Sequence, residues 1–283
     1  MKDRFGGAVA IVTGGASGIG KALSIELVRR GAEVVIADRQ MGVAEEVASS
    51  IRRDGGRAVA SELDVRDFEA FDRLVEGVVA SSGRVDFLFN NAGIGVGGEM
   101  ADYKLEDWND VFDVNLRGVA NGVQAVYPRM VRQRSGHIVN TASLAGLVPG
   151  AFEGSYGASK HAVVGLTKAL RVEGRHHGVR ASVLCPGAIR TPILTGGVFG
   201  RMNLKLSSEA LLRVWERTRP MDPMLFASAA LDRIADDQAI IVLPVWWKAL
   251  WYLERASPSA SLALAGWIMG RLRAELGAER SRP

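Results

Sequence analysis

Cysteine is almost missing from this chain: Cys185 is the only one in 283 residues. One thiol excludes an intrachain disulfide framework and a cysteine-based zinc site. It falls in the apolar stretch 181–185, where a small buried side chain is expected. A dominant charge is missing too. Lys and Arg number 35 against 31 Asp and Glu, for a formal net charge of +4. The basic residues are spread among acidic ones, which describes a solvated surface and argues against nucleic-acid binding. No run of 18 uncharged apolar residues occurs, so a spanning helix is not expected. The first apolar strand begins by residue 8 without a leader-like apolar region before it. The cytoplasm is therefore the expected compartment. Internal repeats and low-complexity linkers are also absent.

What is present is alternation. Apolar β-rich runs at 8–12, 33–37, 57–63, 85–89, 137–141 and 179–184 read as strands, and a last one follows at 239–243. Between them lie stretches with helical spacing: 18–30, Met41–Arg53, 67–82, 105–134 (one long helix, or a short one and a long one) and 155–176. Asp67 is placed to cap the third of these, and Gly55-Gly56 to end the second. Strand and helix alternating at this spacing predict parallel strands with crossover helices on both faces. Strands without polar alternation, such as 85–89, fit a sheet covered on both sides. The expected fold is a single doubly wound α/β domain.

Thr13-Gly14-Gly15-Ala16-Ser17-Gly18-Ile19-Gly20 joins the first strand to the first helix. Glycines there permit a tight turn with positive φ, and they let backbone approach a pyrophosphate at the helix N-terminus. Asp38 closes the second strand, 18 residues beyond Gly20. A carboxylate at that point suits the hydroxyls of an adenosine ribose and repels a 2′-phosphate, which favours NAD over NADP. Arg39, next in sequence, is the residue that would hold such a phosphate.

Tyr156 and Lys160 stand four apart on the helix predicted over 155–176, so they share a face. An ammonium beside a phenol favours the phenolate, and this pair is expected to make Tyr156 a proton acceptor and donor near neutral pH. Ser143 follows the fifth strand at the carboxyl edge of the sheet, where it can meet a substrate oxygen. Asn115, a polar residue on an apolar helical face, is placed to hold a water that relays protons toward Lys160.

Taken together these residues resemble the short-chain dehydrogenases/reductases of the roughly 250-residue type. The matches run in order through Thr13-Gly14-x-x-x-Gly18-Ile19-Gly20, Asp64-Val65, Asn90-Asn91-Ala92-Gly93, Asn115, Ser143, Tyr156-x-x-x-Lys160, and Pro186-Gly187 leading to Thr191. The resemblance covers about residues 5–195. It implies one Rossmann-like domain with seven parallel strands, a nicotinamide cofactor, and hydride transfer between an alcohol and a ketone. It further implies that Asn115, Ser143, Tyr156 and Lys160 form the catalytic tetrad. Cofactor contacts are implied at Gly14, Ser17, Gly18, Ile19, Gly20, Asp38, Arg39, Asp64, Val65, Asn91, Ala92, Gly93, Tyr156, Lys160, Pro186, Gly187, Ile189 and Thr191. No metal is implied. Homodimers or homotetramers are the family's usual assemblies.

Beyond Thr191 the resemblance fades. Residues 188–238 show weak periodicity and are expected to form a lid over the substrate. Ile193, Leu194, Phe199, Met202, Leu204, Leu206, Leu211 and Leu212 suit a bulky lipophilic alcohol or ketone. An NADPH-dependent ketoreductase of a lipid-like ketone is the alternative, and an idle dinucleotide sensor is a weaker one because the tetrad is intact. Residues 244–283 form an aromatic extension with four of the six tryptophans: Trp246, Trp247, Trp251 and Trp267. Tyr252, Ile268, Lys248, Arg255, Arg271 and Arg273 stand near them. This composition suits a subunit contact first and a peripheral membrane contact second.

Overall fold

Apart from the edge strand Arg57–Glu62, the strands of the central sheet are short, rich in β-branched or aromatic residues, and alternate their side chains between two helical layers. Val9–Thr13 (β1) shows the pattern. Ala10 and Val12 join one buried cluster and Val9 and Ile11 join another on the opposite face, as the two-residue period of a strand requires. The structure is a computed structural model that describes residues 4–150, 152–203 and 208–280. Glu33–Asp38 (β2), Arg57–Glu62 (β3), Phe87–Asn90 (β4), Gly136–Thr141, Val179–Pro186 and Ile240–Leu243 complete a seven-stranded sheet. A short strand, Gly95–Gly97 (β5), and its partner Gly200–Met202 stand apart from it. In chain order the remaining strands are thus β6 (Gly136–Thr141), β7 (Val179–Pro186), β8 (Gly200–Met202) and β9 (Ile240–Leu243). The large sheet runs β3-β2-β1-β4-β6-β7-β9, parallel at every pairing.

The helices are Gly18–Arg29 (α1), Met41–Arg53 (α2), Phe68–Ser82 (α3), Leu105–Phe112 (α4), Gly118–Gln133 (α5), Gly154–Gly174 (α6), Ser208–Glu216 (α7), Pro223–Ala235 (α8), Lys248–Ala256 (α9) and Pro258–Arg280 (α10). One face of the sheet is covered by α1, α2 and α8, with Leu23, Leu27, Phe226 and Leu231 fully buried. The other is covered by α3, α5 and α6 through Phe71, Val75, Val126 and Met130. Each such side chain contributes roughly 1.5–3 kcal/mol by leaving water.

The stretch 105–134 resolves into α4, a π-helical turn over Asp113–Arg117, and α5. Asp67 caps α3 as expected, accepting from the Ala70 N–H at 2.9 Å. Cys185 is fully buried and free. Residues 187–238, where sequence periodicity was weak, hold two helices, α7 and α8. The Asp222 carboxylate caps α8, accepting from Met224 and Leu225 N–H at 2.8 and 3.1 Å, and Pro223 occupies its first turn. Leu204 and Leu206 lie outside the described residues. No described helix is long and apolar enough to cross a membrane.

Candidate active site

Parallel strands place all their carboxyl ends on one edge of the sheet, and a cavity of about 720 Å³ opens there. The β1–α1 turn forms one part of its wall through Gly14, Ser17, Gly18 and Ile19. Gly14 has φ +62°, and a Cβ on Gly20 would lie 2.1 Å from the Gly14 carbonyl oxygen, so the turn closes only with glycine at both places. Gly20 itself sits behind the wall. Ser17, the N-cap of α1, makes no side-chain cap bond, which leaves the first N–H groups of the helix to face an anion.

Asp38 ends β2 and is 8% exposed. Its carboxylate accepts from the Ala16 N–H at 3.1 Å and from the Gln40 N–H at 3.0 Å. It therefore fastens the glycine turn as well as lining the cavity with Arg39. Asp64 lines the cavity next to Val65 and is paired with Arg66, Oδ2 to guanidinium nitrogen at 2.5 Å. That hydrogen bond holds its carboxyl below the usual range.

Asn91, Ala92 and Gly93 follow β4 along the cavity wall. Thr13 stitches them to β1. Its Oγ1 accepts from the N–H groups of Asn91 and Ala92, both at 3.0 Å, while the Asn91 Nδ2 donates to the Thr13 carbonyl at 3.1 Å. Asn115 is fully buried in the π-helical turn and does not line the cavity. Its Oδ1 accepts from the Ile94 N–H at 2.8 Å, and its Nδ2 donates to the Ile94 carbonyl at 2.9 Å and the Ser159 Oγ at 3.2 Å. A Cβ on Gly93 would stand 3.2 Å from the Asn115 Oδ1 and 3.4 Å from the Lys160 Nζ, so these two groups meet across Gly93.

Ser143, Tyr156 and Lys160 converge on the same cavity. Ser143 caps the short turn Leu144–Gly146, accepting from the Ala145 N–H at 3.2 Å, and its hydroxyl stands near enough to the Tyr156 phenol to lower it. Lys160, 3% exposed, donates from Nζ to the Thr141 carbonyl at 2.9 Å and lies 5.5 Å from the centre of the Tyr156 ring. Burial lowers its ammonium to about 8. The Tyr156 phenol departs from expectation. Burial, reinforced by the charge of Glu153, raises it above its ordinary value, and the nearby Ser143 hydroxyl offsets this only in part. Lys160 alone does not pull it down.

Pro186, Gly187, Ile189 and Thr191 close the wall beyond β7. Here the structure adds a residue that sequence reasoning missed. The Trp247 indole packs so tightly on Gly187 that a Cβ there would come within 2.3 Å of it. Ile193, Leu194, Phe199, Met202 and Leu211 face the cavity, whereas Leu212 is exposed. Ile268 and Leu272 of α10 also line it, as does Glu153, one helical turn before Tyr156. The clue to Glu153 was its spacing of three from Tyr156. The aromatic tail, expected first at a subunit contact, thus reaches the cavity wall through α10.

Residues 8–197 match the family described as short chain dehydrogenase. The chain belongs to the short-chain dehydrogenase/reductase family. Relatives in this family include the uncharacterized oxidoreductase Lmo0432 of Listeria monocytogenes, 38% identical over 188 residues, which are 66% of this chain and 76% of the relative. Another is 2,5-dichloro-2,5-cyclohexadiene-1,4-diol dehydrogenase LinX of Sphingobium indicum, 37% identical over 193 residues, 68% of this chain and 77% of that one. A short-chain dehydrogenase/reductase from Burkholderia phymatum, solved in complex with NAD, superposes with a TM-score of 0.80 at 31% identity, covering 91% of this chain and 96% of that one. As a family member the protein is a nicotinamide-dependent oxidoreductase with the seven-stranded parallel sheet of its relatives. The site fits such a cofactor: the side-chain-free turn at Gly14 and the open N-terminus of α1 suit its pyrophosphate, and Asp38 faces the cavity beside them.

Proposed function

We propose that this dehydrogenase interconverts a bulky hydrophobic secondary alcohol and its ketone, preferring NAD to NADP, with Tyr156 as the acid/base. The observation that carries the reading is the convergence of Ser143, Tyr156 and Lys160 on one cavity that also contains Asp38 and an apolar wall. When bound, the nicotinamide dinucleotide supplies the hydride acceptor or donor. Ser143 hydrogen-bonds the substrate oxygen. The Tyr156 oxygen takes the hydroxyl proton as the alcohol carbon loses its hydride, and returns it to the ketone in reverse. Lys160 steadies the developing phenolate, and it is joined there by the positive charge of an oxidised nicotinamide. Burial keeps the phenol neutral, the form that donates to a ketone, and the added charge of an oxidised nicotinamide would favour the phenolate that accepts from an alcohol. Asn115 positions the Ile94 backbone and the floor beneath Gly93.

Asp38 supports the NAD preference, because a 2′-phosphate there would meet a carboxylate already fixed by two N–H groups. The described residues of 188–218 act as the lid and α10 as a further wall, whereas α8, expected within the lid, packs on the central sheet. Trp246, Tyr252, Leu262 and Trp267 remain more than half exposed, and we assign them to a contact between copies of the chain in a homodimer or homotetramer. The test is a screen of hydrophobic secondary alcohols and ketones with NAD(H) and NADP(H) in parallel. The expected result is turnover that is faster with NAD. Better use of NADP overturns the cofactor assignment, and activity confined to small polar alcohols overturns the substrate class.

A further inference from the structure

Most of the ionisable side chains that share the cavity with Tyr156 have hydrogen-bond or ion-pair partners. Arg201 is held by Asp107 at 2.6 Å and Asp110 at 2.8 Å, Asp64 by Arg66, and Lys160 by the Thr141 carbonyl. Asp38 accepts two backbone N–H groups. Glu153 lines the same cavity and its carboxyl forms no hydrogen bond or ion pair among the described residues. It is the N-cap of α6 but does not cap it with its side chain. The Oε2 rests instead near Gly150, where a Cβ would lie 2.6 Å away. Its charge is felt at the Tyr156 phenol.

The Glu153 carboxyl is part-exposed to the cavity, so a bound substrate oxygen can replace water as its hydrogen-bond partner. We propose that Glu153 is a specificity-determining residue that hydrogen-bonds a second oxygen of the substrate, so that the physiological substrate is a diol, hydroxyketone or diketone rather than a simple alcohol. This rests on the reading that Tyr156 handles the first oxygen. Burial brings the Glu153 carboxyl to about 7, so near neutrality it supplies both an acceptor for a hydroxyl and an O–H donor for a carbonyl. One side chain thus accommodates the second oxygen in either oxidation state. A group that must meet a buried hydrogen-bonding site discriminates strongly against analogues lacking it.

The experiment compares cyclohexanol and cyclohexanone with the 1,2- and 1,4-cyclohexanediols and 1,2- and 1,4-cyclohexanediones, and does the same for their tert-butyl-substituted forms. Each is assayed with the full-length enzyme and NAD or NADH. A ratio of kcat/KM favouring the second-oxygen member of a pair by about tenfold or more is expected. Glu153→Leu should bring that ratio toward one, and Glu153→Gln, which keeps both hydrogen-bonding functions, should restore much of it. NADH binding and cooperative melting of both variants verify folding; if Glu153→Leu fails to fold, Glu153→Ala replaces it. Turnover without preference for the second oxygen, or a preference that survives Glu153→Leu, overturns this inference and leaves the proposed function intact. Failure to turn over any member of the panel overturns the proposed substrate class together with this inference.

Discussion

Tyr156 is where the chemistry is most exposed to test. Replacing it with phenylalanine keeps the ring and removes only the oxygen proposed to move the proton. Turnover should fall by roughly a hundredfold or more, the weight of one positioned proton-transfer group, while NAD binding measured by fluorescence titration is retained. Near-normal turnover would remove Tyr156 from its role. Asp38 carries two functions at once, and its substitution should reveal both. Asp38→Ala should narrow the preference for NAD over NADP, because the repulsion of a 2′-phosphate goes and Arg39 is free to pair with it. It should also weaken binding of both cofactors, because the Ala16 N–H loses its acceptor. Dissociation constants for NADH and NADPH in wild type and variant decide this. A variant with an unchanged ratio would transfer cofactor choice to another residue.

The tail helix α10 is the element for which the sequence left the most readings open. It places Ile268 and Leu272 in the cavity wall and ties Arg273 to Glu99 at 2.5 Å. A chain ending after Ser257 keeps Trp247, Leu250 and Trp251, which pack on the core around Val163, Val183 and Val242. It should still bind NADH, but its KM for hydrophobic alcohols should rise about tenfold, equivalent to about 1.4 kcal/mol of lost contact. Light scattering on the same chain should show a smaller assembly if α10 also joins subunits. An unchanged KM would deny it a place in the pocket. The parallel sheet and its crossover helices were legible because their signals are local: apolar runs, helical spacing, glycine turns. The glycine turn, Asp38 and the Tyr156–Lys160 pair were legible because their spacing is dictated by the β–α units that carry them. The lid was not. The β5–β8 pairing joins Gly-Val-Gly to Gly-Arg-Met, and neither segment has strand propensity, so only the long-range contact reveals it. Helix α8 was within reach, since Asp222-Pro223 before Phe226, Ala230, Leu231 and Ile234 is a capped amphipathic start. Glu153 and Trp247 act through neighbours distant or unremarkable in sequence.

At the scale of the whole molecule, stability toward acid is governed in part by His137. This residue is 2% exposed between the layers, and its Nε2 lies 2.8 Å from the Ser182 Oγ. Ser182 itself donates to the Gln238 carbonyl at 2.7 Å, so its oxygen accepts from the imidazole and the ring is neutral with a bare Nδ1. Burial lowers the imidazole to about 3 in the folded protein, against an unfolded value of about 6.5. Between those limits the unfolded chain binds the proton and the folded chain does not. Stability is therefore intact above about pH 6.5 and falls as the pH drops, at about 1.4 kcal/mol per unit. Urea melts at pH 7.5, 6 and 5 should show that slope in wild type and a shallower one in His137→Gln; parallel slopes would assign the acid sensitivity to carboxylates. The wall that Ile268 and Leu272 lend to the cavity has a further consequence, in the order of synthesis. Chains emerge N-terminal end first, at about 5–20 residues per second. The glycine turn, the tetrad and the loop at Gly187 are all made well before residue 272. A nascent chain can assemble the first six strands of the sheet and still hold a cavity open on one side. Competence to enclose a substrate thus arrives with α10, after the reactive groups are already in place.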